Sequence, residues 1–526
     1  MAGTLTVHAE GEEKVQTTNP AQSGGGESRS GMHNPKVAGS SPAPATTKTM
    51  RKHGLCDLNA RNKQGKRDPQ NAASSLIMRV ITNLEMAMMQ KKNIHERPVE
   101  ILQRLIQFNT TNPPGHEAAC VGYIRDLLNE AGVESTLLAK DPDRPNLIAR
   151  LPGEGKAPPL LLYGHVDVVT TENQPWQQPP FEGKLIDGYV WGRGALDMKG
   201  GVAMMVAAFL RANAEGLRPP GDILLAIVSD EEAGGDFGAK FLVEEHAELF
   251  KGIKYAIGEF GGFTLTIGGK RFYPIMISEK QVCWMKATVR GLGGHGSMPE
   301  KGGASAKLAR LLKALDENDL PIHVTPPAKM MVDAMASALG GPQSLILGQL
   351  ANPALTDFVL KTLGSRGRTF YPLFRNTVSP TILHGSSKIN VIPSEISVEL
   401  DGRLLPGQTP DDMLHELRAI VGDDVQLDLI QFDPGPAEPD MSLFNKLAEV
   451  LKESDSEGIP IPLLLSGVTD GRFFSQIGIQ TYGYLPMTLP EDFNFSQIIH
   501  AADERVPAAA IEFGAQVIYK ALRRFG

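Results

Sequence analysis

Cysteine is scarce in this sequence: only Cys56, Cys120 and Cys283 occur among 526 residues. They show no CxxC spacing, which excludes a disulfide framework and a thiolate zinc site. The pattern is typical of a reducing compartment, so we expect a cytoplasmic protein in which all three cysteines are inert packing residues.

Long apolar runs and an excess of basic charge are also missing. No stretch approaches the roughly 20 apolar residues that span a bilayer. The formal net charge of −8 supplies no basic patch for nucleic acid or acidic membranes. We therefore expect neither kind of partner, and the length alone predicts two or three domains.

Residues 1–90 lack apolar periodicity and are rich in Gly, Ser, Pro and Thr, as in TTNPAQSGGGESRSG. This composition predicts a disordered tail. No charged start followed by an apolar core and a cleavage site is present, so the segment is not a secretory signal. It is either a genuine tail or an over-extended gene model, with the working protein starting near Met86 or Met88; the second interpretation is preferred.

From Glu96 onward, short apolar strands alternate with helices. PLLLYGHVD, ILLAIVSD and YAIGEF are typical of buried strands, and MKGGVAMMVAAFLRANAEG is an apolar helix between the first two. This alternation predicts an α/β fold with a mixed, largely parallel sheet covered by helices on both faces, a three-layer αβα catalytic domain. Ligand sites in such sheets lie at the carboxyl ends of strands.

The pattern of apolar and polar residues changes near residue 280. QVCWMKATVRG and SEISVELDGRLL alternate like half-exposed strands, and ASAKLARLLKAL and DDMLHELRAIVG are amphipathic helices. We therefore predict a small α+β domain at residues 280–433, inserted between catalytic segments 91–279 and 434–526. Residues 325–380 have no clear period and are interpreted as an insertion within the small domain.

Seven histidines and acidic residues follow apolar runs or border glycine turns. They are His165, Asp167, Asp197, Glu231, Glu232, Glu259 and His500. Each has an ordinary alternative: a lone histidine is usually packed or solvated, and an acidic turn is usually solvated. Their order at strand ends favours a metal site, and imidazole with carboxylate suits Zn²⁺, Mn²⁺ or Co²⁺.

The motifs HVD, GRGALDMKGG, DEEAGG, RGLGGHGSMP, NVIP, TDGRFF and IHAADE occur in this order. Together they resemble the dinuclear zinc amidohydrolases of the aminoacylase, glutamate carboxypeptidase, acetylornithine deacetylase and succinyl-diaminopimelate desuccinylase family. The resemblance covers about residues 95–524. Within the family, the stretch from SEKQVCW to GHGSMP and the long inserted domain are most similar to the carboxypeptidase S and N-acyl-amino-acid hydrolase branch. It implies a ferredoxin-like inserted domain that serves dimerisation and as a lid.

The resemblance implies two Zn²⁺ ions per chain, with Co²⁺ or Mn²⁺ possible. Asp197 would bridge the ions. His165 and Glu259 would complete the ligands of one ion, and Glu232 with His500 those of the other.

One departure concerns the ligand at the end of YAIGEFGG. Close relatives read DEGG, so a gapless alignment would place Phe260, which cannot ligate, at that position. We expect Glu259 to be the ligand, because a loop slides by one residue more easily than a ligand is lost. The resemblance also implies a cis peptide after Asp197.

Three residues receive catalytic roles by resemblance. Glu231 would be the general base for a metal-bridging water, and Asp167 would orient His165. His295 would stabilise the oxyanion in the active site of the partner subunit of a homodimer. Neighbouring residues on an extended strand point in opposite directions, which explains why ligand and base are two adjacent glutamates.

Four further positions match residues near the substrate: Asn390, Arg403, Thr469 and Arg472. An arginine fork can bind a substrate carboxylate in bidentate fashion. Which arginine does so stays open, because Arg403 is equally suited to a structural salt bridge.

The leading hypothesis is a metal-dependent hydrolase that cleaves an N-acyl amino acid, or a small peptide at its C-terminal residue. The first alternative is a deacetylase or desuccinylase of an amino-acid biosynthetic intermediate. A non-catalytic metal-binding homologue and a scaffold built on the tail are the others. The sequence leaves the acyl group and the preferred amino acid open.

Overall fold

The computed structural model describes residues 93–364 and 367–526. The tail predicted at residues 1–90, its alternative start sites and Cys56 lie outside the described residues. Helices and strands are numbered here in chain order.

The first half of the described chain ends with two long strands. Its elements are α1 (Pro98–Ile106), α2 (Ala118–Glu130), β1 (Ser135–Leu138), β2 (Asn146–Leu151), β3 (Leu160–His165), β4 (Lys184–Ile186), β5 (Tyr189–Trp191), α3 (Lys199–Ala214), β6 (Ile223–Val228), α4 (Ala239–Glu245), β7 (Tyr255–Gly258), β8 (Leu265–Ile267), β9 (Lys270–Glu279) and β10 (Gln281–Arg290).

The second half begins with a short strand and closes with a long helix. Its elements are β11 (Gly294–His295), α5 (Ala304–Glu317), α6 (Pro326–Leu339), α7 (Gly341–Gly348), α8 (Thr356–Thr362), α9 (Gly367–Phe370), β12 (Thr377–His384), β13 (Val391–Ile392), β14 (Glu395–Leu404), α10 (Pro410–Val421), β15 (Gln426–Phe432), α11 (Ser442–Ser454), β16 (Ile459–Leu465), α12 (Gly471–Gln476), β17 (Gln480–Gly483), α13 (Phe495–Ile498), β18 (Arg505–Pro507) and α14 (Ala508–Leu522).

A large mixed sheet forms the centre of the fold. Its strand order is β1-β2-β6-β3-β7-β17-β9-β16, with β8 paired to β9. The four neighbours β6, β3, β7 and β17 run parallel, and antiparallel pairs stand on either side of them. The predicted α/β fold is confirmed, and its parallel part comprises this four-strand centre and the β9–β16 pair at one edge.

Both faces of this sheet are covered by helices. In β3, Leu160 and Leu162 belong to the hydrophobic cluster that contains α3 and α14, whereas Leu161 and Tyr163 belong to the cluster that contains α4 and α12. Side chains alternate between the two faces of a strand, so an uninterrupted apolar run is needed where both faces are buried. The result is the predicted three-layer arrangement.

A second, four-stranded sheet has the order β12-β14-β10-β15 and is antiparallel throughout. Leu311 of α5 and Leu417 of α10 share a hydrophobic cluster with Met285 and Val398 of this sheet. The connection β10-α5-β12-β14-α10-β15 with this strand order is the ferredoxin-like topology. That this four-stranded sheet and its two helices act as a separate lid or dimerisation domain stays a prediction.

The helices between residues 326 and 370 pack elsewhere. Met331 and Val332 of α6 share a cluster with Phe272 of β9 and Leu464 of β16, at the edge of the large sheet. The predicted insertion within the small domain is therefore a helical layer against the large sheet. Its apolar residues pack at helical spacing, but the sequence does not show which sheet they contact.

Among the described residues we find no helix that combines the length and hydropathy needed to span a bilayer.

Lys280 is the single residue between β9 and β10, and it is buried. Its Nζ donates hydrogen bonds to the carbonyl oxygen of Arg375, 2.9 Å away, and to Oγ1 of Thr377, 2.8 Å away. Burial lowers the pKa of Lys280 to about 7, and the charge of Arg403 acts in the same direction.

This buried lysine should make the folding free energy depend on pH. Between about pH 7 and 10 the unfolded chain, with a lysine pKa near 10.5, binds more protons at this position than the folded chain. Stability therefore rises with pH in this window, by at most about 1.4 kcal/mol per unit. Below about pH 7 both states are protonated and the folded state carries the full cost of a buried charge.

The measurement compares the unfolding free energies of wild type and Lys280→Met from about pH 6 to pH 9. We expect the wild type to gain stability relative to the variant as pH rises. Lys286→Met, in the middle of β10, is the control. A difference between wild type and Lys280→Met that does not change with pH would contradict the prediction.

Candidate metal centre

The site lies at the carboxyl ends of three parallel strands of the large sheet. His165 is the last residue of β3, Glu259 follows β7, and Glu231 and Glu232 start a 3-10 turn just after β6. Because carboxyl ends of neighbouring parallel strands meet at one edge, residues far apart in sequence converge here.

Asp197, which precedes α3, lies between two imidazoles. Its Oδ1 is 3.1 Å from Nε2 of His165, and its Oδ2 is 3.0 Å from Nε2 of His500. One carboxylate thus presents one oxygen to each histidine, which is the arrangement of a ligand shared by two ions. The peptide bond between Asp197 and Met198 is cis, as the resemblance implied.

A further carboxylate stands beside each imidazole. Oε2 of Glu259 is 3.5 Å from Nε2 of His165, and Oε1 of Glu232 is 3.3 Å from Nε2 of His500. Glu231 is also close, with Oε2 4.0 Å from the His165 Nε2.

Two groups in the described chain have potential ligand atoms within 4.8 Å of one another. They are His165 with Glu231 and Glu259, and His165 with Asp197 and Glu232. The first group contains Glu231, which the resemblance assigns to catalysis rather than to ligation.

The chemistry of these donors fits divalent cations. Burial raises the pKa of Glu259 to about 8 and, aided by the charge of Glu259, that of Glu231 well above its usual value. Although burial opposes it, the Glu259 carboxylate holds the pKa of His165 well above its usual range. These shifts express a shortage of positive charge, which divalent cations would supply. Oε1 of Glu232 is buried without a hydrogen-bond partner, as expected of a ligand atom.

Asp167 fixes the two glutamates as well as His165. Nδ1 of His165 lies 3.0 Å from the backbone carbonyl oxygen of Asp167 and 3.4 Å from its Oδ1. The backbone N–H groups of Glu231 and Glu232 each donate to the Asp167 carboxylate over 3.1 Å. Nδ1 of the imidazole therefore faces Asp167, whose carbonyl oxygen is closer than its carboxylate, and Nε2 is left facing the site.

A buried polar network behind the turn was missed from the sequence. Nδ2 of Asn112 donates to Asp167 over 2.8 Å and to Asp230 over 3.0 Å. Arg144 pairs with Asp230 at 2.9 Å and with Glu117 at 2.7 Å. Asp230 adopts a positive φ of 70° directly before the glutamates. The sequence signal for this network was the position of Asp230 directly before the two glutamates, in SDEE.

Glu504 was also missed, although it lies in the quoted IHAADE motif. Its Oε1 accepts a hydrogen bond from the backbone N–H of Leu196 over 2.8 Å, and its Oε2 pairs with Arg193 at 2.6 Å. Glu504 therefore ties the segment that carries His500 to the turn that carries Asp197.

Two of the predicted substrate-binding residues lie beside Glu231. Nη1 of Arg472 is 4.0 Å from Oε1 of Glu231 and donates to the carbonyl oxygen of Thr469 over 3.0 Å. Nη2 of Arg472 donates to the carbonyl oxygen of Gly234 over 3.1 Å. The guanidinium is therefore largely engaged within the protein.

The other two predicted substrate-binding residues, Asn390 and Arg403, and the predicted catalytic residue His295 lie in the segment between β10 and β15. His295 is exposed, with Nδ1 2.7 Å from Oγ of Ser297, and Asn390 is exposed as well. Arg403 donates to the carboxylate of Asp401 over 2.7 Å. In the described parts of the chain, no hydrogen bond or ion pair joins these three side chains to the metal centre.

Residues 161–524 match the sequence profile of Peptidase family M20/M25/M40. The chain belongs to this family. The match covers the histidines and carboxylates from His165 to His500 described above, and it confirms the family and the hydrolase class that the motif order predicted.

Several M20 proteins are similar over most of the chain. The probable carboxypeptidase S-like 2 of Dictyostelium discoideum is 28% identical over 365 residues, covering 66% of this chain and 68% of the relative. The human N-fatty-acyl-amino acid synthase/hydrolase PM20D1 is 29% identical over 378 residues, covering 69% of this chain and 74% of the human protein.

The fold is also similar to that of a solved M20 structure. The metallo-carboxypeptidase Sso-CP2 of Sulfolobus solfataricus superposes with a TM-score of 0.60 at 15% identity, covering 82% of this chain and 99% of the other. This likeness supports the fold, not the substrate.

Proposed function

We propose that this M20 chain is a zinc-dependent hydrolase that cleaves the amide bond of an N-acyl amino acid, or of a small peptide at its C-terminal residue. One observation carries the proposal: the two oxygens of Asp197 face His165 and His500 separately, with Glu231 next to them. The donor types suit Co²⁺ and Mn²⁺ as well as Zn²⁺.

The proposed ligands are Asp197 as the bridge, His165 and Glu259 on one side, and Glu232 and His500 on the other. Two divalent cations held there would polarise the scissile carbonyl and lower the pKa of a water. The ligand pairs follow the short distances between side chains on each side of Asp197.

Glu231 is the proposed general base. Its carboxylate accepts the proton of the attacking water and passes it to the nitrogen of the departing amine. Burial raises the pKa of Glu231, which suits a group that must both take up and release a proton. Its backbone N–H is fixed by Asp167 and its side chain lies next to Arg472, so the carboxylate has a defined orientation.

The substrate class is supported by the names of the relatives, which include a carboxypeptidase S-like protein and an N-fatty-acyl-amino acid synthase/hydrolase. Asn390 and Arg403 are proposed substrate contacts, with Thr469 and Arg472. A homodimer formed through the domain that contains the four-stranded sheet, with His295 acting in the partner's site, stays a prediction. The cytoplasmic location also stays a prediction, supported by buried, unpaired Cys120 and Cys283.

The test measures free amino acid released from N-acetyl, N-succinyl and long-chain N-acyl amino acids and from dipeptides. Zinc-loaded and chelator-stripped protein are compared, and zinc is then returned to the stripped sample. We expect metal-dependent release from one substrate group. No release by protein that holds two metals per chain would overturn the substrate class, and equal release after stripping would overturn the metal requirement.

A further inference from the structure

Arg472 lies between two carboxylates. Its Nη1 is 4.0 Å from Oε1 of Glu231, and its Nε is 3.4 Å from Oδ2 of Asp433. The side chain is buried, and Nε has no hydrogen-bond partner. A buried guanidinium in this position is attracted to both carboxylates, so its distance from Glu231 depends on the pull of Asp433.

Asp433 and Glu279 belong to the two segments where the chain enters and leaves the four-stranded sheet. We call these segments, residues 279–281 and 433–435, the junction. They are joined by a hydrogen bond of 2.8 Å from the backbone N–H of Gly435 to Oε1 of Gln281.

Glu279 anchors Thr469, which contacts Arg472. Its Oε2 accepts hydrogen bonds from both the backbone N–H and Oγ1 of Thr469, over 2.8 and 2.9 Å. The carbonyl oxygen of Thr469 in turn accepts from Arg472. Each segment of the junction therefore contributes one carboxylate to the Thr469–Arg472 pair.

The junction is not closely packed around Arg472. A cavity of about 20 Å³ is lined by Glu279, Lys280, Asp433 and Arg472, among others. This is room for about one water molecule. Arg472 borders this space on the Asp433 side, while its two Nη atoms donate to the carbonyl oxygens of Thr469 and Gly234.

We propose that Glu279 and Asp433 are positioning residues for the hydrolysis proposed above. Asp433 holds Arg472 back from Glu231, and Glu279 anchors Thr469, so that the base keeps its free oxygen for water. When Asp433 loses its charge, the guanidinium closes on Glu231 and occupies the lone pairs that should accept the proton. The inference rests on the proposed function and links the base to the junction with the small sheet.

The test measures kcat and KM, together with metal content, for Asp433→Asn and Glu279→Gln. We expect kcat to fall by about 10-fold or more in Asp433→Asn, with two metals retained, because misplacement near the base lowers turnover. KM should change less than kcat, although Arg472 is also a proposed substrate contact. Asp433→Glu should recover most of kcat, since it restores the charge. Glu279→Gln should lower kcat in the same sense but less, because it keeps an acceptor for Thr469.

Asp428→Asn is the matched control, an exposed aspartate of β15 five residues before Asp433. A kcat of Asp433→Asn equal to that of this control would overturn the inference, as would failure of Asp433→Glu to recover activity. If Asp433→Asn does not fold, an unchanged kcat in Glu279→Gln overturns it instead. An inactive wild type would overturn the proposed function itself, which distinguishes the two failures.

Discussion

Replacing Glu231 by alanine is expected to lower kcat by about 10²- to 10⁴-fold, the usual contribution of a general base. Metal content should stay at the wild-type value, since the resemblance and the Asp197 geometry assign Glu231 no ligand role. The measurement is turnover of the preferred substrate together with metal per chain, determined on the same preparation.

The neighbouring Glu232→Ala variant is the control for this experiment. It removes an adjacent carboxylate of the same turn, whose Oε1 lies 3.3 Å from Nε2 of His500 and is a proposed ligand atom. We expect this variant to lose metal as well as activity. Loss of metal from Glu231→Ala would instead assign Glu231 to the ligands, in line with its group with His165 and Glu259.

Asp197→Ala is expected to abolish binding of both metals and to reduce activity by more than about 10²-fold. Mutation of residues that only hydrogen-bond to metal ligands already costs about 10- to 100-fold, and here both proposed ions would lose a shared ligand. Isothermal titration with zinc and activity assays at saturating zinc measure the two effects.

Asp236→Ala, at an exposed carboxylate near the same edge of the fold, serves as the control and should behave as wild type. Retention of two tightly bound metals by Asp197→Ala would exclude the bridging role. Loss of a single metal would mean that the ions are held by separate ligand sets.

Much of the centre could be predicted because its residues lie directly after apolar strands. His165 ends β3 and the two glutamates follow β6, so strand periodicity and topology together place them at one edge. The choice between Glu259 and Phe260 depended on a loop, and the structure turns Glu259 towards His165 while Phe260 stacks edge-on with Phe495 at 6.5 Å.

The supporting residues could not be found in this way. Asn112 and Arg144 lie in loops without periodicity. They act through contacts with residues distant in sequence, such as Asp230, which lies 118 and 86 positions further along the chain. The placement of α6 against β16 was missed for a related reason. Residues 325–380 show no clear period in the sequence, and the surface against which a helix packs is set by the whole chain rather than by the helix itself.

The contact between Asp197 and His500 joins residues 303 positions apart. During synthesis, His165 and Asp197 therefore emerge from the ribosome long before His500, which completes the second half of the site. A nascent chain cannot assemble the full centre until the segment around His500 has emerged. Binding of an ion on the His500 side would thus report that this late segment has folded onto the earlier part of the chain, and a cleavage that separates the two parts would be expected to release that ion first.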